Sequence, residues 1–166
     1  MRRAFSAAAI LLFATACNPA PATPPPPAGP TPAEMVAAAN TLDQQFLAAF
    51  NQADVDALMA TYWNSPDLVS FGPDGMGTKG WDACKAGAVE MFKAMPGARL
   101  EFTAMHNDVH GDVVIGWGTW KMTMGPPDAP QVLDGRYSDV KARHDGKWVY
   151  VSDHASVPLP PPPPGK

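Results

Sequence analysis

The chain has 166 residues, enough for one domain, and 14 of its 20 prolines fall in two tracts, at 19–32 and 158–164. Such tracts cannot bury a core, so the folded part is expected between them, over residues 34–157. The formal net charge is −4, and no basic stripe with interleaved aromatics occurs, which excludes a nucleic-acid surface.

Met1-Arg2-Arg3 gives a basic start, and Ala4 to Thr15 is nearly all apolar or small. That is the pattern of a secretory signal, and the run is shorter than the ~20 residues of a spanning helix. It ends Phe13-Ala14-Thr15-Ala16-Cys17, which resembles the bacterial lipobox. The resemblance implies that residues 1–16 are a lipoprotein signal peptide and that Cys17 is lipidated and anchors the chain to a membrane. Ala14 stands where leucine is commonest in that motif. Asn18 after the cysteine implies an outer-membrane lipoprotein facing the periplasm; the alternative is a secreted protein. Loss of Arg2 and Arg3 with the signal makes the charge −6, from 10 basic and 16 acidic residues. Residues 17–33 then read as a lipidated cysteine and a proline-rich tether, extended at ~3.1 Å per residue to about 45 Å. Residues 158–166 read as a solvated proline-rich tail.

Thr31-Pro32-Ala33-Glu34 has the composition of a helix start with a capping box. Ala39, Leu42, Phe46, Ala49 and Phe50 follow at helical spacing, until Asn51-Gln52-Ala53-Asp54 breaks the period. Asp54 caps a second short helix with Leu58, Met59 and Tyr62. Asp67 to Phe71 reads as a strand and Gly72 to Gly75 as a turn. Thr78 is expected to cap a third helix, with Trp81, Cys84, Ala88, Phe92 and Met95 on its apolar face. The period then becomes strand-like over 100–109, 113–124, 133–143 and 147–157. Asp145-Gly146 marks a tight hairpin turn. Helices grouped before a meander predict an α+β fold.

The segment Phe46 to Leu58, with its Asn51-x-x-Asp54 break, resembles the opening of SnoaL-like domains of the nuclear-transport-factor-2-like superfamily. The turn between Gly72 and Gly80 and the ending Gly146-Lys147-Trp148…His154-x-Ser156 continue the likeness, which covers residues 34–157. It implies a strongly curved antiparallel sheet wrapped around the N-terminal helices as a cone open at one end, and a homodimer. Ketosteroid isomerases, polyketide cyclases, epoxide hydrolases, dehydratases and non-catalytic binding modules share that fold, so the residues must decide the function.

An isomerase needs a carboxylate base and two acidic donors; Gly72, Phe46 and Ser138 stand at the matching positions, so that chemistry is not expected. Strict alternation along the last strand puts Trp148, Tyr150, Ser152, His154 and Ser156 on one face, which in relatives lines the cone. The candidate catalytic set is therefore His154 as a general base, with Asp134, Arg136, Tyr137 or Asp139 on the neighbouring strand to orient it, Asp134 and Tyr137 foremost. Trp63, Phe71, Trp117, Trp120, Tyr150 and Ser156 are candidate ligand-binding residues. His106 and His110 are spaced too widely for a shared metal on a strand, and no cofactor motif occurs. Cys84 has no intramolecular disulfide partner and is expected to be buried and inert. The leading expectation is a non-catalytic domain that binds a small apolar ligand or a partner in its cone. The alternatives are a cyclase-, hydrolase- or dehydratase-type enzyme using His154, and a structural dimerisation module.

Overall fold

A computed structural model describes residues 29–73 and 75–158. The signal peptide, Cys17, most of the tether and residues 159–166 of the tail lie outside the described residues.

Helix α1 spans Pro32–Asn51, and its start is the capping box that the sequence indicates: Thr31 Oγ1 accepts from Glu34 N at 3.3 Å, and the Glu34 carboxylate accepts from Thr31 N at 2.7 Å. It ends at Asn51, whose side chain donates to Leu100 O at 2.9 Å and accepts from Leu100 N at 2.8 Å. That clip fixes the end of α1 to the first long strand. Asp54 then caps α2 (Val55–Met59), accepting from Ala57 N at 2.9 Å.

Strands β1 (Val69–Phe71) and β2 (Gly77–Lys79) form a small antiparallel pair before α3 (Trp81–Ala94). Thr78 does not cap α3. It is held in extended pairing with Ser70, and the chain enters the helix through Gly80, whose φ of 92° suits glycine. The long strands β3 (Arg99–His110), β4 (Val113–Met124), β5 (Gln131–His144) and β6 (Lys147–Ser156) form an antiparallel meander. Asp145 and Gly146 both take positive φ at the β5–β6 turn, as a tight Asp-Gly hairpin requires.

The six-stranded order is β2-β1-β6-β5-β4-β3. Because β1 runs parallel to β6, the sheet is mixed rather than wholly antiparallel. One side carries the helices: Phe50, Leu58, Met59, Leu68, Ala88, Trp120 and Met122 form its main core, and Met35, Ala39 and Val114 pack as a smaller cluster with Trp148. Burial of the Leu, Met, Val and Phe side chains among these stabilises the fold by roughly 1.5–3 kcal/mol each. Among the described residues, no helix lies on the other side of the sheet.

Two bulges interrupt the long strands. The β3–β4 register shifts between Phe102 and Ala104. In β6, Tyr150 pairs with Lys141 but Ser152 pairs with Val140, so Val151 is an extra residue. A bulge of this kind reverses which side later residues face.

Candidate functional site

On the helix-facing side, α1, β3, β5 and β6 bring ionisable groups together away from water. Lys141 is 0% exposed. Its Nζ lies 2.7 Å from Asp139 Oδ1 and 3.0 Å from Asp43 Oδ1, and donates to Asn107 Oδ1 at 2.8 Å. Asn107 donates onward to Asp43 Oδ2 at 2.8 Å, and Tyr150 Oη donates to Asp43 Oδ1 at 2.5 Å. Gly116 on β4 makes room for this group: a Cβ there would overlap Lys141 Nζ and the Asp139 carboxylate. Burial raises the Asp139 carboxyl to about 6, an effect that Lys141 partly offsets. Burial, with Asp43 beside it, also pushes the Tyr150 phenol well up.

A second group borders the first. Tyr62 Oη donates to Asp153 Oδ2 at 2.7 Å. Tyr137 Oη is buried and has no hydrogen-bond partner among the described residues, and Asp153 Oδ1 is buried with none of good geometry, the Ser70 hydroxyl lying near enough only to act on the carboxyl's charge. Burial raises both side chains' pKa values; at Asp153 the register-paired Ser70 hydroxyl and Tyr62 offset part of the rise. Asp139 pairs with Asp153 and Tyr137 with Ala155, so Tyr137 and Asp153 are diagonal neighbours on one face, ~7–8 Å apart along the backbone. Their surroundings are aromatic. Tyr137 stacks on Phe102 at 4.6 Å, Phe102 stacks on Phe46 at 6.2 Å, and Phe46 meets Tyr62 and Tyr150 edge-on. Cys84 is half-buried, with its thiol pKa raised by burial and by Asp153.

The structure does not assemble His154, Asp134 and Tyr137. Trp148 and Tyr150 face the helices, but the Val151 bulge hands that side to Asp153 and Ala155 and turns His154 outward, paired with Ser138. Asp134 is exposed on the same open side, four residues from Ser138 along β5 and so ~13 Å away, and Tyr137 faces the opposite way. The aromatic set is divided too. Trp120 and Tyr150 are buried on the helix side, with Trp120 Nε1 donating to Arg136 O at 3.1 Å. Trp63 stacks on His144 at 4.4 Å. Phe71 and Trp117 are 45% and 47% exposed on the open side, and Ser156 lies half-buried near them. Depressions among the described residues include one of about 560 Å³ between α1 and Trp148, and one of about 260 Å³ among Trp117, Arg136, Ser138, His154 and Ser156. No group of three or more His, Cys, Asp or Glu side chains among the described residues is placed to hold a metal ion.

Sequence reading missed Asp43, Tyr62, Asn107, Lys141 and Asp153. Asp43 carried a usable signal: it lies four residues after Ala39 on the apolar stripe of α1, where an unpaired acid would be costly.

The sequence profile of the SnoaL-like domain matches residues 39–160. The chain belongs to the SnoaL-like domain family. No curated protein matches it in sequence. Among solved structures, this SnoaL-like domain is similar to a proposed dehydratase of the nuclear-transport-factor-2-like family from Streptomyces avermitilis, at TM-score 0.71 and 17% identity, over 78% of this chain and 100% of that one. It is also similar to a protein with a cystatin-like fold from Caulobacter vibrioides, at TM-score 0.66 and 17% identity, over 76% and 92%. A third likeness is to a superfamily member from Salmonella enterica, at TM-score 0.65 and 23% identity, over 78% and 100%. At these identities the likeness establishes the fold: an α+β, cystatin-like cone.

Proposed function

We propose that this SnoaL-like domain is a binding domain without catalysis, tethered to the cell envelope through a lipid on Cys17, that takes a small, mostly apolar molecule on the helix-facing side of its sheet. The single observation that carries the reading is the pair of buried, unpartnered atoms, Tyr137 Oη and Asp153 Oδ1, within a wall of Phe46, Phe102 and Tyr62. Each orphan polar atom costs about 1–3 kcal/mol when nothing satisfies it. A ligand with a carbonyl or ether oxygen toward Tyr137 and a hydroxyl toward Asp153 would satisfy both at once. Apolar walls with a few converging polar groups are the usual construction of such sites.

Asp139 supplies the one observation in favour of an enzyme, since a carboxyl raised to about 6 suits proton transfer near neutral pH. Its carboxylate is held at 2.7 Å by the fully buried Lys141, however, and His154 faces away. Two neighbouring phenols are similarly occupied: Tyr150 by Asp43, and Tyr62 by Asp153. What is left over is one donor and one acceptor, a recognition pair. The lipobox-like ending at Cys17 and the proline-rich tether support the lipid anchor, and Asn18 after the cysteine supports placement on the outer membrane, facing the periplasm.

Native mass spectrometry of the full-length protein, extracted in detergent from its own host's membranes, tests the reading. The expected result is a lipid-modified chain carrying a reproducible small-molecule mass that is lost on denaturation. A chain without acyl mass would overturn the anchor, and a chain without the second mass would overturn the ligand.

A further inference from the structure

Helix α3 is held unevenly along its length. Its first turns are bonded to the rest of the domain: Trp81 N donates to Ser65 O at 3.0 Å, Trp81 Nε1 to Met59 O at 3.1 Å, and Lys85 Nζ to Asp56 Oδ1 at 2.7 Å. Among the described residues, no hydrogen bond or ion pair joins residues 86–94 to another element; Lys93 pairs with Glu90 inside the helix. That half is held by apolar contact: the Phe92 ring meets Phe50 edge-on at 5.3 Å, and Met91 and Met95 pack half-buried on the main core. Ala88 is the one fully buried residue of α3, whereas α1 buries six. Between the two halves stands Gly87. A Cβ there would meet nothing within 4 Å, so packing does not require a glycine, which weakens a helix interior roughly fivefold relative to alanine. Just past the helix, Gly97 takes a φ of 75°. The far half of α3 therefore lies between two weak points of the backbone. It leads directly into β3, at the end of the sheet where Leu100, Met122 and Leu133 pair across β3, β4 and β5. Leu100, Met124 and Leu133 are half-buried there, like Met91, Phe92 and Met95. Along the helix-facing side of β5, Leu133, Gly135 and Tyr137 follow one another, so Tyr137 lies ~13 Å inward from that end.

We propose that residues 88–95 are the door of the site: with the Trp81 end fixed, they swing about Gly87 and Gly97 and admit a small molecule between Met91, Phe92 and Met95 and the Leu133 end of β5. The inference rests on the reading that the helix-facing side takes such a molecule. A segment held by one apolar face, without polar ties to other elements, opens locally while the rest of the domain stays folded. Motions of that kind gate entry and release in many binding sites. The two methionines at the lip suit the task, because their unbranched side chains repack around guests of different shape. Gly87 then has a reason that packing does not supply: it lets the far half of α3 bend away from the half that Trp81 and Lys85 hold.

Hydrogen–deuterium exchange of the full-length protein in detergent micelles, with heavy water as the probe, tests the door. In protein stripped of small molecules, amides of residues 88–95 are expected to exchange at least tenfold faster than those of residues 39–50 in α1. Gly87→Ala, which meets no atom, should slow residues 88–95 roughly fivefold. Protein extracted with a small molecule still bound should exchange residues 88–95 at least tenfold more slowly than stripped protein. Three results would each overturn the door while the bound mass is present: rates at 88–95 equal to those at 39–50, no change in Gly87→Ala, or no slowing by the bound molecule. A chain that carries no bound mass would overturn the ligand reading, and the door with it, in the mass spectrum rather than in the exchange.

Discussion

Adjacent residues of β5 live in opposite environments. Tyr137, Asp139 and Lys141 turn toward the helices, where the Lys141 ammonium is buried between the Asp43 and Asp139 carboxylates and the Tyr137 hydroxyl is buried beside them. Arg136 and Ser138, one position away, turn to the open side, among exposed aromatic rings. The same residue types therefore carry different weight on the two sides. A charge on the helix side must be paired, because its desolvation is not recovered otherwise. A charge on the open side is hydrated and is nearly neutral for stability.

The largest test of this contrast is Lys141→Met, which keeps the volume and removes the cation between Asp43 and Asp139. It should destabilise the domain by about 3–5 kcal/mol in denaturant unfolding, whereas Arg136→Met on the open side should change stability by less than about 0.5 kcal/mol. Comparable losses at both positions would erase the distinction. Gly116→Ala comes next, with an expected cost of about 1–3 kcal/mol, because its Cβ would press on the Lys141–Asp139 pair. A variant as stable as the parent would mean that the pair has room to shift.

The pH dependence follows from Asp139. Its carboxyl is raised from the ordinary 3.8 to about 6, so between those values the folded chain holds a proton that the unfolded chain has released. The corresponding stabilisation is full below 3.8 and is lost as pH rises through about 6. Asp153, also raised, acts with the same sign. Asp139→Asn should therefore flatten the fall in stability across that window, as read by thermal unfolding at a series of pH values. An unchanged slope would show that Asp139 titrates normally. Smallest of all is the effect expected at Trp117: Trp117→Ala should leave the melting midpoint within the shift produced by about 0.5 kcal/mol.

The legible features were those governed by local rules. The capping box at Thr31, the Asn51 to Asp54 break and the Asp145-Gly146 turn each depend on a few neighbouring residues, and each forms where the sequence indicates. The candidate site was less legible because it depends on one inserted residue. Strict alternation carries His154 to the side of Tyr150, and a single bulge at Val151 reverses that assignment for every later residue. No residue type at 151 announces a bulge. The Asp43–Lys141 ion pair joins residues 98 positions apart (141 − 43) across α1 and β5, a distance that no periodicity encodes. Gly116 is likewise marked out only by the side chains that face it from β5, Lys141 and Asp139.

The most direct test of the central claim, that Tyr137 Oη and Asp153 Oδ1 are kept for a ligand, is Tyr137→Phe, measured by unfolding with the native ligand retained and after it has been stripped. The phenylalanine keeps the stack on Phe102 and removes the orphan hydroxyl. The stripped variant should be as stable as the stripped parent or more stable by about 1 kcal/mol, while the extra stability that ligand gives the parent should be largely lost. A stripped variant less stable than its parent, or one that keeps the full ligand-dependent gain, would contradict the account.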